Sequence, residues 1–135
     1  MDIMISLQGL GSFLAYLAAA LVAETAFILF YMAVTPHREG ALIRAGNTAA
    51  AVSLGGAVVG FTLPLASAVV NSATLLDMAV WSAVGLIVQL AVFVAANLAL
   101  RDLSRRIEDD NVAAGITLAV ASIVTGGLSA ACMTY

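Results

Sequence analysis

The sequence predicts an all-α membrane protein with four transmembrane helices, arranged as two helical hairpins of the same orientation. Three observations support this prediction: an apolar composition, four long apolar segments, and basic residues confined to two short loops. Of the 135 residues, 63% are hydrophobic and 10% are charged, and the mean hydropathy is +1.09. Soluble domains average about 45–50% apolar and about 25% charged residues, so this composition indicates a chain solvated by lipid.

Four segments are long enough to cross a bilayer, because a transmembrane helix needs about 20 predominantly apolar residues. The predicted spans are Ser12–Val34, Thr48–Val70, Leu76–Leu100 and Val112–Met133. They are rich in Ala, Leu and Val without the period-2 alternation of barrel strands, which favours helices. We therefore expect a single transmembrane domain over residues 1–135.

All five basic residues are arginines in the two loops that follow spans one and three. They are Arg38, Arg44, Arg101, Arg105 and Arg106. The opposite side carries Asp2 and Asp77 and no basic residue. By the positive-inside rule, both Arg-bearing loops face the cytoplasm. This predicts a multi-pass protein of the bacterial inner (plasma) membrane with both termini outside the cytoplasm.

The chain also contains an internal repeat with an offset of 64 residues. The shift places Ile43 on Ile107 and Asn47 on Asn111, and each Asn is followed by Ala-Ala after one intervening residue. Because the shared pattern lies where an Arg-bearing loop enters the next span, each half is a hairpin. The halves, approximately 9–72 and 73–135, then have the same orientation.

The repeated asparagines have two interpretations. Asn is a favoured N-cap because its side-chain oxygen accepts a hydrogen bond from the first helical turn. Asn47 and Asn111 are therefore predicted to cap spans two and four. The alternative is a paired substrate or ion site at the cytoplasmic mouth.

Two polar side chains near the middle of predicted spans are the most informative residues for function. Glu24 lies near the middle of span one, where an ionised side chain costs at least about 2.5–3.5 kcal/mol. Gln89 lies at nearly the same depth in span three, one residue out of register with the repeat. The pair could form a neutral hydrogen bond between helices or act as a proton or cation relay.

Span two carries small residues and a proline. Gly56 and Gly60 form a GxxxG pattern, which lets two helices approach until their backbones touch. Pro64 removes one helical hydrogen bond, which predicts a kink near Gly60. One interpretation is tight packing within the bundle or between subunits; the other is a hydrated, broken helix along a permeation path.

The first Arg-bearing loop opens with Thr35-Pro36, which ends span one because the residue before proline disfavours helix. His37, Arg38 and Glu39 follow. With the forked donors of Arg38 and Arg44, this loop could bind an anion or a phospholipid headgroup. The other interpretation is that the arginines determine the membrane topology and the acidic residues partly offset their positive charge. The predicted interfacial anchors are Tyr31, Trp81 and Tyr135.

Residue types that carry catalysis or bind metals are scarce. One cysteine, Cys132, and one histidine, His37, cannot make a zinc-type cluster. No P-loop, metalloprotease motif, nucleophile–base constellation or glycine-rich dinucleotide turn is recognisable in the sequence. We therefore expect no enzyme activity, no metal, no cofactor and no nucleic-acid partner.

Five runs of residues together carry a family resemblance. They are residues 35–39 (TPHRE), 47–51 (NTAAA), 55–68 (GGAVVGFTLPLASA), 88–90 (VQL) and 130–134 (AACMT). In this order and spacing they resemble the YjfL-like family of small bacterial inner-membrane proteins, over essentially the whole chain. The resemblance implies a duplicated two-helix unit of unknown function, and it assigns no site residue.

Two functions fit these observations. The first is a non-enzymatic membrane component that forms a homo-oligomer or binds a small membrane-protein partner in the lipid bilayer. The second is a small ion- or proton-coupled transporter or channel subunit that uses Glu24. The two functions differ in what they require of Glu24. Transport requires that its carboxyl group gains and loses a proton, whereas assembly requires at most its hydrogen bonds.

Overall fold

A computed structural model describes residues 3–133, and this part of the chain folds into helices joined by short connections. They are α1 (Ile3–Val34), α2 (Glu39–Arg44), α3 (Thr48–Asn71), α4 (Leu75–Ala99), α5 (Leu103–Glu108) and α6 (Val112–Cys132). Helices α1, α3, α4 and α6 are long and apolar enough to span a membrane. The prediction of an all-α protein with four membrane-spanning helices is therefore confirmed. Asp2 and Tyr135 lie outside the described residues.

Helix α1 is the one span whose predicted bounds were wrong by more than a residue, because it begins at Ile3 rather than Ser12. The first residues of α1 are mostly apolar, and each of the two glycines that follow, Gly9 and Gly11, costs only about 1 kcal/mol in a helix. Because extending a helix that has already formed is favourable, α1 continues through both glycines. At 1.5 Å per residue, the 32-residue helix is about 48 Å long, against about 30 Å of hydrocarbon.

The two predicted loops each contain a six-residue helix, α2 and α5, whose first residues are 64 positions apart. Both end in the same way: Gly46 and Asp110 adopt positive φ values of 88° and 58° just before an N-cap asparagine. We call the end of the bundle formed by α2, α5 and the N-termini of α3 and α6 the loop end. All five arginines are exposed there.

The closest packing in the molecule is between α3 and α6, whose backbones touch. Four glycines permit this approach: Gly56, Gly60, Gly115 and Gly126. A Cβ atom at Gly56 would collide with Ala119, and one at Gly126 would collide with the carbonyl of Gly60. In lipid there is no hydrophobic driving force between helices, so their association depends on van der Waals packing. Small residues favour association because they let the helix backbones approach closely.

Helices α3 and α6 run parallel. This is seen from their contacts, whose residue numbers increase in the same direction along both helices. From the loop end to the other end, the contacting pairs are Ala49 with Gly115, Gly56 with Ala119, and Ser67 with Ala130. The Ser67 hydroxyl donates to the Ala130 carbonyl at 2.9 Å. This parallel pair forms the centre of the bundle, and α4 packs against it.

The α3–α6 contact also contains a buried amide. Gln89 of α4 is fully buried and donates from Nε2 to the Ser122 carbonyl at 3.1 Å. One turn after Gly60, α3 continues through Pro64, which has no N–H to donate to the Gly60 carbonyl. That carbonyl faces Gly126 instead, so a missing side chain on α6 accommodates the group that the proline releases.

Helix α1 lies at the edge of this core and is held mainly by aromatic side chains. Phe27 and Tyr31 are its buried residues. Phe27 stacks on Phe61 with ring centroids 4.4 Å apart, and Tyr31 meets Phe93 edge-on at 6.0 Å. An apolar groove of about 490 Å³ separates α1 from the first half of α4. Most of α1 is therefore left uncovered.

We expect Gly126→Ala to destabilise the fold by about 1–3 kcal/mol, because the added methyl group must push α6 away from the Gly60 carbonyl. Gly56→Ala should behave in the same way against Ala119. Thermal unfolding in mild detergent measures both changes.

The matched controls are the adjacent glycines. A Cβ at Gly127 would make only an ordinary contact at 3.9 Å, and one at Gly55 would meet nothing within 4 Å. Alanine has the higher helix propensity, so Gly55→Ala and Gly127→Ala should be neutral or stabilising. Equal losses at all four glycines would contradict the close approach of α3 and α6.

Candidate functional site at the loop end

Three polar side chains that follow α1 are buried together. Thr35, His37 and Glu39 are 5%, 1% and 0% exposed. Pro36 ends α1 and turns the chain, and α2 then begins at Glu39. The Thr35 hydroxyl donates a short hydrogen bond to Glu39 Oε1, and His37 Nε2 lies 3.3 Å from the same oxygen. The carboxylate is thus held from two sides in a site closed to solvent.

The second loop contributes a hydroxyl to this cluster. Ser104 of α5 places its Oγ 3.0 Å from His37 Nδ1. If Nε2 carries the imidazole proton toward Glu39, Nδ1 accepts from the serine hydroxyl. Ser104, His37 and Glu39 then form one series of polar contacts from a partly exposed hydroxyl to a buried carboxylate.

Aromatic rings enclose the cluster on the membrane side. Phe93 of α4 has its ring centroid 6.0 Å from those of both Tyr31 and His37. Within the described residues, the Tyr31 hydroxyl and Glu39 Oε2 are buried and have no hydrogen-bond partner. Buried polar atoms without a partner are rare in proteins, and they mark this cluster as a site with unused hydrogen-bonding capacity.

The exposed side of Ser104 faces a cleft of about 430 Å³ at the loop end. The other residues that line it are Pro36, Asn97, Asp102, Arg105 and Glu108. The lining carries both signs of charge as well as a carboxamide. His37 and Glu39 lie behind the serine and are closed to solvent.

Sequence reasoning missed this site for identifiable reasons. His37 and Glu39 were predicted to lie in the first Arg-bearing loop beside Arg38, and the structure shows that both are buried. Tyr31 was expected at the membrane interface, but it is 1% exposed in the core. Nothing in the sequence indicated that Ser104 would contact His37, because the two residues are 67 positions apart. The contact between Ser104 and His37 is formed only by the fold.

The two intramembrane polar residues contact different helices. Glu24 is half-buried, and its Oε2 accepts from the hydroxyl of Thr62 on α3 at 3.0 Å. Gln89 bonds the Ser122 carbonyl of α6 instead. Among the described residues, no hydrogen bond joins Glu24 to Gln89, and each keeps one buried oxygen without a partner.

The two repeated asparagines occupy N-cap positions. Asn47 accepts from the Ala50 amide at 2.8 Å, and Asn111 accepts from the Ala114 amide at 3.2 Å. Asn47 does more, because its Nδ2 also donates to the carbonyls of Ile107 and Glu108 at 2.8 and 3.2 Å. It thus links the start of α3 to the end of α5.

The arginines lie outside the buried cluster. Arg44 Nε donates to the Gly40 carbonyl of its own helix at 3.3 Å, and Arg105 lines the cleft beside Ser104. Arg38, Arg101 and Arg106 are exposed. Over residues 3–133, no three His, Cys, Asp or Glu side chains come together as a metal-binding group.

Four membrane-spanning helices packed around a glycine-rich centre define an integral, multi-pass membrane protein. The chain belongs to the family described as Domain of Unknown Function (DUF350), whose model matches residues 4–133. It is 36% identical over 129 residues to the UPF0719 inner membrane protein YjfL of Escherichia coli K12, covering 96% of this chain and 98% of that protein. The YjfL protein of E. coli O157:H7 matches equally well.

These relatives confirm the YjfL-like family and indicate a multi-pass protein of the inner membrane. No solved structure matches the chain.

We expect Asn47→Ala to cost about 2–3 kcal/mol of stability, because it removes a cap and also leaves two α5 carbonyls without their donor. Asn111→Ala removes only a cap and should cost about 1 kcal/mol. Thermal unfolding of both variants in the same detergent makes the comparison, and equal losses would show that the Asn47 link to α5 contributes nothing.

Proposed function

We propose that this protein is a self-assembling component of the inner membrane, and that the outer face of α1 around Glu24 contacts a second copy of the chain. The observation that carries this proposal is a half-buried carboxyl on a helix whose surface is mostly apolar and largely uncovered. Assembly requires no catalysis, metal or cofactor.

The depth of Glu24 makes its exposure costly. At 1.5 Å per residue, it lies about 15 Å from the end of α1 at Val34, which is half the hydrocarbon thickness. Thr62 is its hydrogen-bond partner among the described residues, and the hydroxyl of Thr62 already donates to the Val58 carbonyl of its own helix. A carboxyl so placed gains stability when another protein surface covers it.

A second copy is the occupant that fits this surface best. Glu24 stays partly exposed at this surface, and the same apolar helix of a second copy can cover it across a symmetric contact. The surrounding exposed side chains on α1 are mostly apolar and suit packing in lipid; the apolar ones include Leu21, Val22 and Leu29.

The glycine pattern that suggested an interface is used elsewhere. Gly56 and Gly60 lie against Ala119, Ser122 and Gly126 of the same chain, so this face of α3 is occupied. The lateral contact must then use another surface, which leaves α1 as the helix with most uncovered apolar area.

The second candidate function is proton-coupled transport through Glu24. The buried Oε1 of Glu24, which has no partner among the described residues, favours it, because such an atom can accept a proton or a water. A transport role needs an ionisable group, whereas an assembly contact needs only a hydrogen-bonding group of the same shape.

We expect Glu24→Leu to shift the protein from oligomer to monomer and Glu24→Gln to leave the assembly intact, because glutamine keeps a donor and an acceptor at the contact. Native mass spectrometry from nanodiscs measures the shift. Thr25→Val is the control, since the Thr25 hydroxyl donates to the Leu21 carbonyl of its own helix. A monomeric wild type overturns the assembly proposal, and loss of proton-linked flux in Glu24→Gln liposomes supports transport instead.

We also propose that the loop end faces the cytoplasm and that the two halves arose by duplication. The support is the grouping of all five arginines at one end and the matching turns before Asn47 and Asn111. The parallel course of α3 and α6 fits two hairpins of one orientation. Both termini are then outside the cytoplasm.

Cysteine labelling tests this orientation. In a Cys132→Ser background, Ala73→Cys in the turn between α3 and α4 should react with a membrane-impermeant maleimide in intact spheroplasts. Ala45→Cys, exposed at the loop end, should react only after lysis. Neither change removes an arginine, so the topology signal is retained. Labelling of Ala45→Cys before lysis would reverse the proposed topology.

A further inference from the structure

We infer that Ser104 is an activated nucleophile, with His37 as its general base, Glu39 as the residue that positions the base, and a carboxylic ester as the substrate class. The inference rests on the hydrogen bond between Ser104 and His37 and the close contact between His37 and Glu39 at the loop end. It does not depend on the assembly of subunits through α1.

The geometry meets the requirements for an activated serine. The nucleophile and base must lie within hydrogen-bond reach, and a third group must orient the base. The Ser104 Oγ to His37 Nδ1 distance is 3.0 Å, and the His37 Nε2 to Glu39 Oε1 distance is 3.3 Å. Such a constellation is recognised by its geometry and roles rather than by residue order.

Burial distinguishes the three roles. Glu39 is fully buried and fixed by the Thr35 hydroxyl, so it can hold the imidazole in one tautomer. His37 is almost fully buried, whereas Ser104 opens into the cleft. The member that has to meet a substrate is thus the one that a substrate can reach.

The second half of the chain shows that this fold does not require a carboxylate in a buried short helix. Leu103, 64 residues after Glu39, is equally buried at the first position of α5. An apolar side chain therefore satisfies the same local structure. Glu39 Oε2 and the Tyr31 hydroxyl, both buried without partners in the described chain, add polarity that packing alone does not need.

The proposed reaction balances as an acyl transfer. Ser104 Oγ forms a bond to the ester carbonyl carbon while His37 takes the hydroxyl proton. The carbon–oxygen bond to the leaving alcohol then breaks, and His37 returns the proton to that alcohol. Water attacks the resulting acyl-serine in the same way, releases the carboxylic acid and restores the serine. No redox partner is required.

The charges in the cleft favour a substrate with a zwitterionic group. Arg105 can bind a phosphate, and Asp102 and Glu108 can bind an ammonium group. The Asn97 carboxamide adds another donor to the cleft. Because the cleft lies at an end of a membrane-spanning bundle, a zwitterionic phospholipid such as phosphatidylethanolamine combines the ester, both charges and the location.

A fluorophosphonate probe tests the nucleophile directly, because Ser Oγ displaces its fluoride and becomes covalently labelled. We expect labelling of the purified protein in nanodiscs, with mass spectrometry placing the adduct on Ser104. Ser104→Ala should lose it, and Ser12→Ala, an exposed serine in α1, should not. Absence of an adduct on Ser104 in a wild type that remains folded would overturn the inference.

Two further variants separate activation from structure. His37→Gln and Glu39→Gln should lower the labelling rate by about 10²–10⁴-fold at unchanged melting temperature. If either variant is unstable, Ser104→Cys with iodoacetamide reports the same site, and its alkylation should be faster than that of exposed Cys132. Equal rates at the two thiols would overturn activation by His37.

Lipid nanodiscs test the substrate class. The wild type should release free fatty acid from phosphatidylethanolamine, and Ser104→Ala should not. Anionic phosphatidylglycerol should be cleaved at least tenfold more slowly, since it has no ammonium group for Asp102 and Glu108. Release from neither lipid, with Ser104 labelled, would overturn the phospholipid substrate while the activated serine stands.

Discussion

The backbone contact between α3 and α6 is the constraint on which the rest of the structure depends. Because Gly60 and Gly126 have no side chains, the two parallel helices meet closely. Their N-termini therefore lie side by side, and the short helices that precede them are brought together. His37 meets Ser104 and Asn47 meets Ile107 for this reason, so the loop-end cluster follows from packing near the bilayer centre.

The sequence predicted the membrane-spanning helices well because their signal is local. Twenty apolar residues in a row are enough to predict a span, and Asn47 and Asn111 mark helix starts by capping chemistry that is confined to one turn. The early start of α1 at Ile3 was missed because Gly9 and Gly11 weaken a helix signal without ending the helix. The short helices α2 and α5 were missed because six residues make fewer than two helical turns, which is too short to show the hydrophobic period of about 3.6 residues that marks a helix.

The candidate site was not predictable in the same way. Charged residues in a short loop are normally solvated, and burial of Glu39 depends on Thr35, His37 and the rings of Tyr31 and Phe93 closing around it. The pairing with Ser104 depends on a contact between the two halves of the chain. Glu24 was recognisable from its depth alone, but its contact with Thr62 rather than Gln89 required the relative positions of three helices.

The length of α1 couples the loop end to the thickness of the surrounding bilayer. A hydrophobic stretch longer than the local hydrocarbon layer relieves the mismatch by tilting. Since Phe27 and Tyr31 hold α1 near the loop end, tilting would move the uncovered N-terminal part of the helix farthest. The resulting strain would reach the loop end through Tyr31 and Thr35, and the Thr35 hydroxyl holds Glu39 in place.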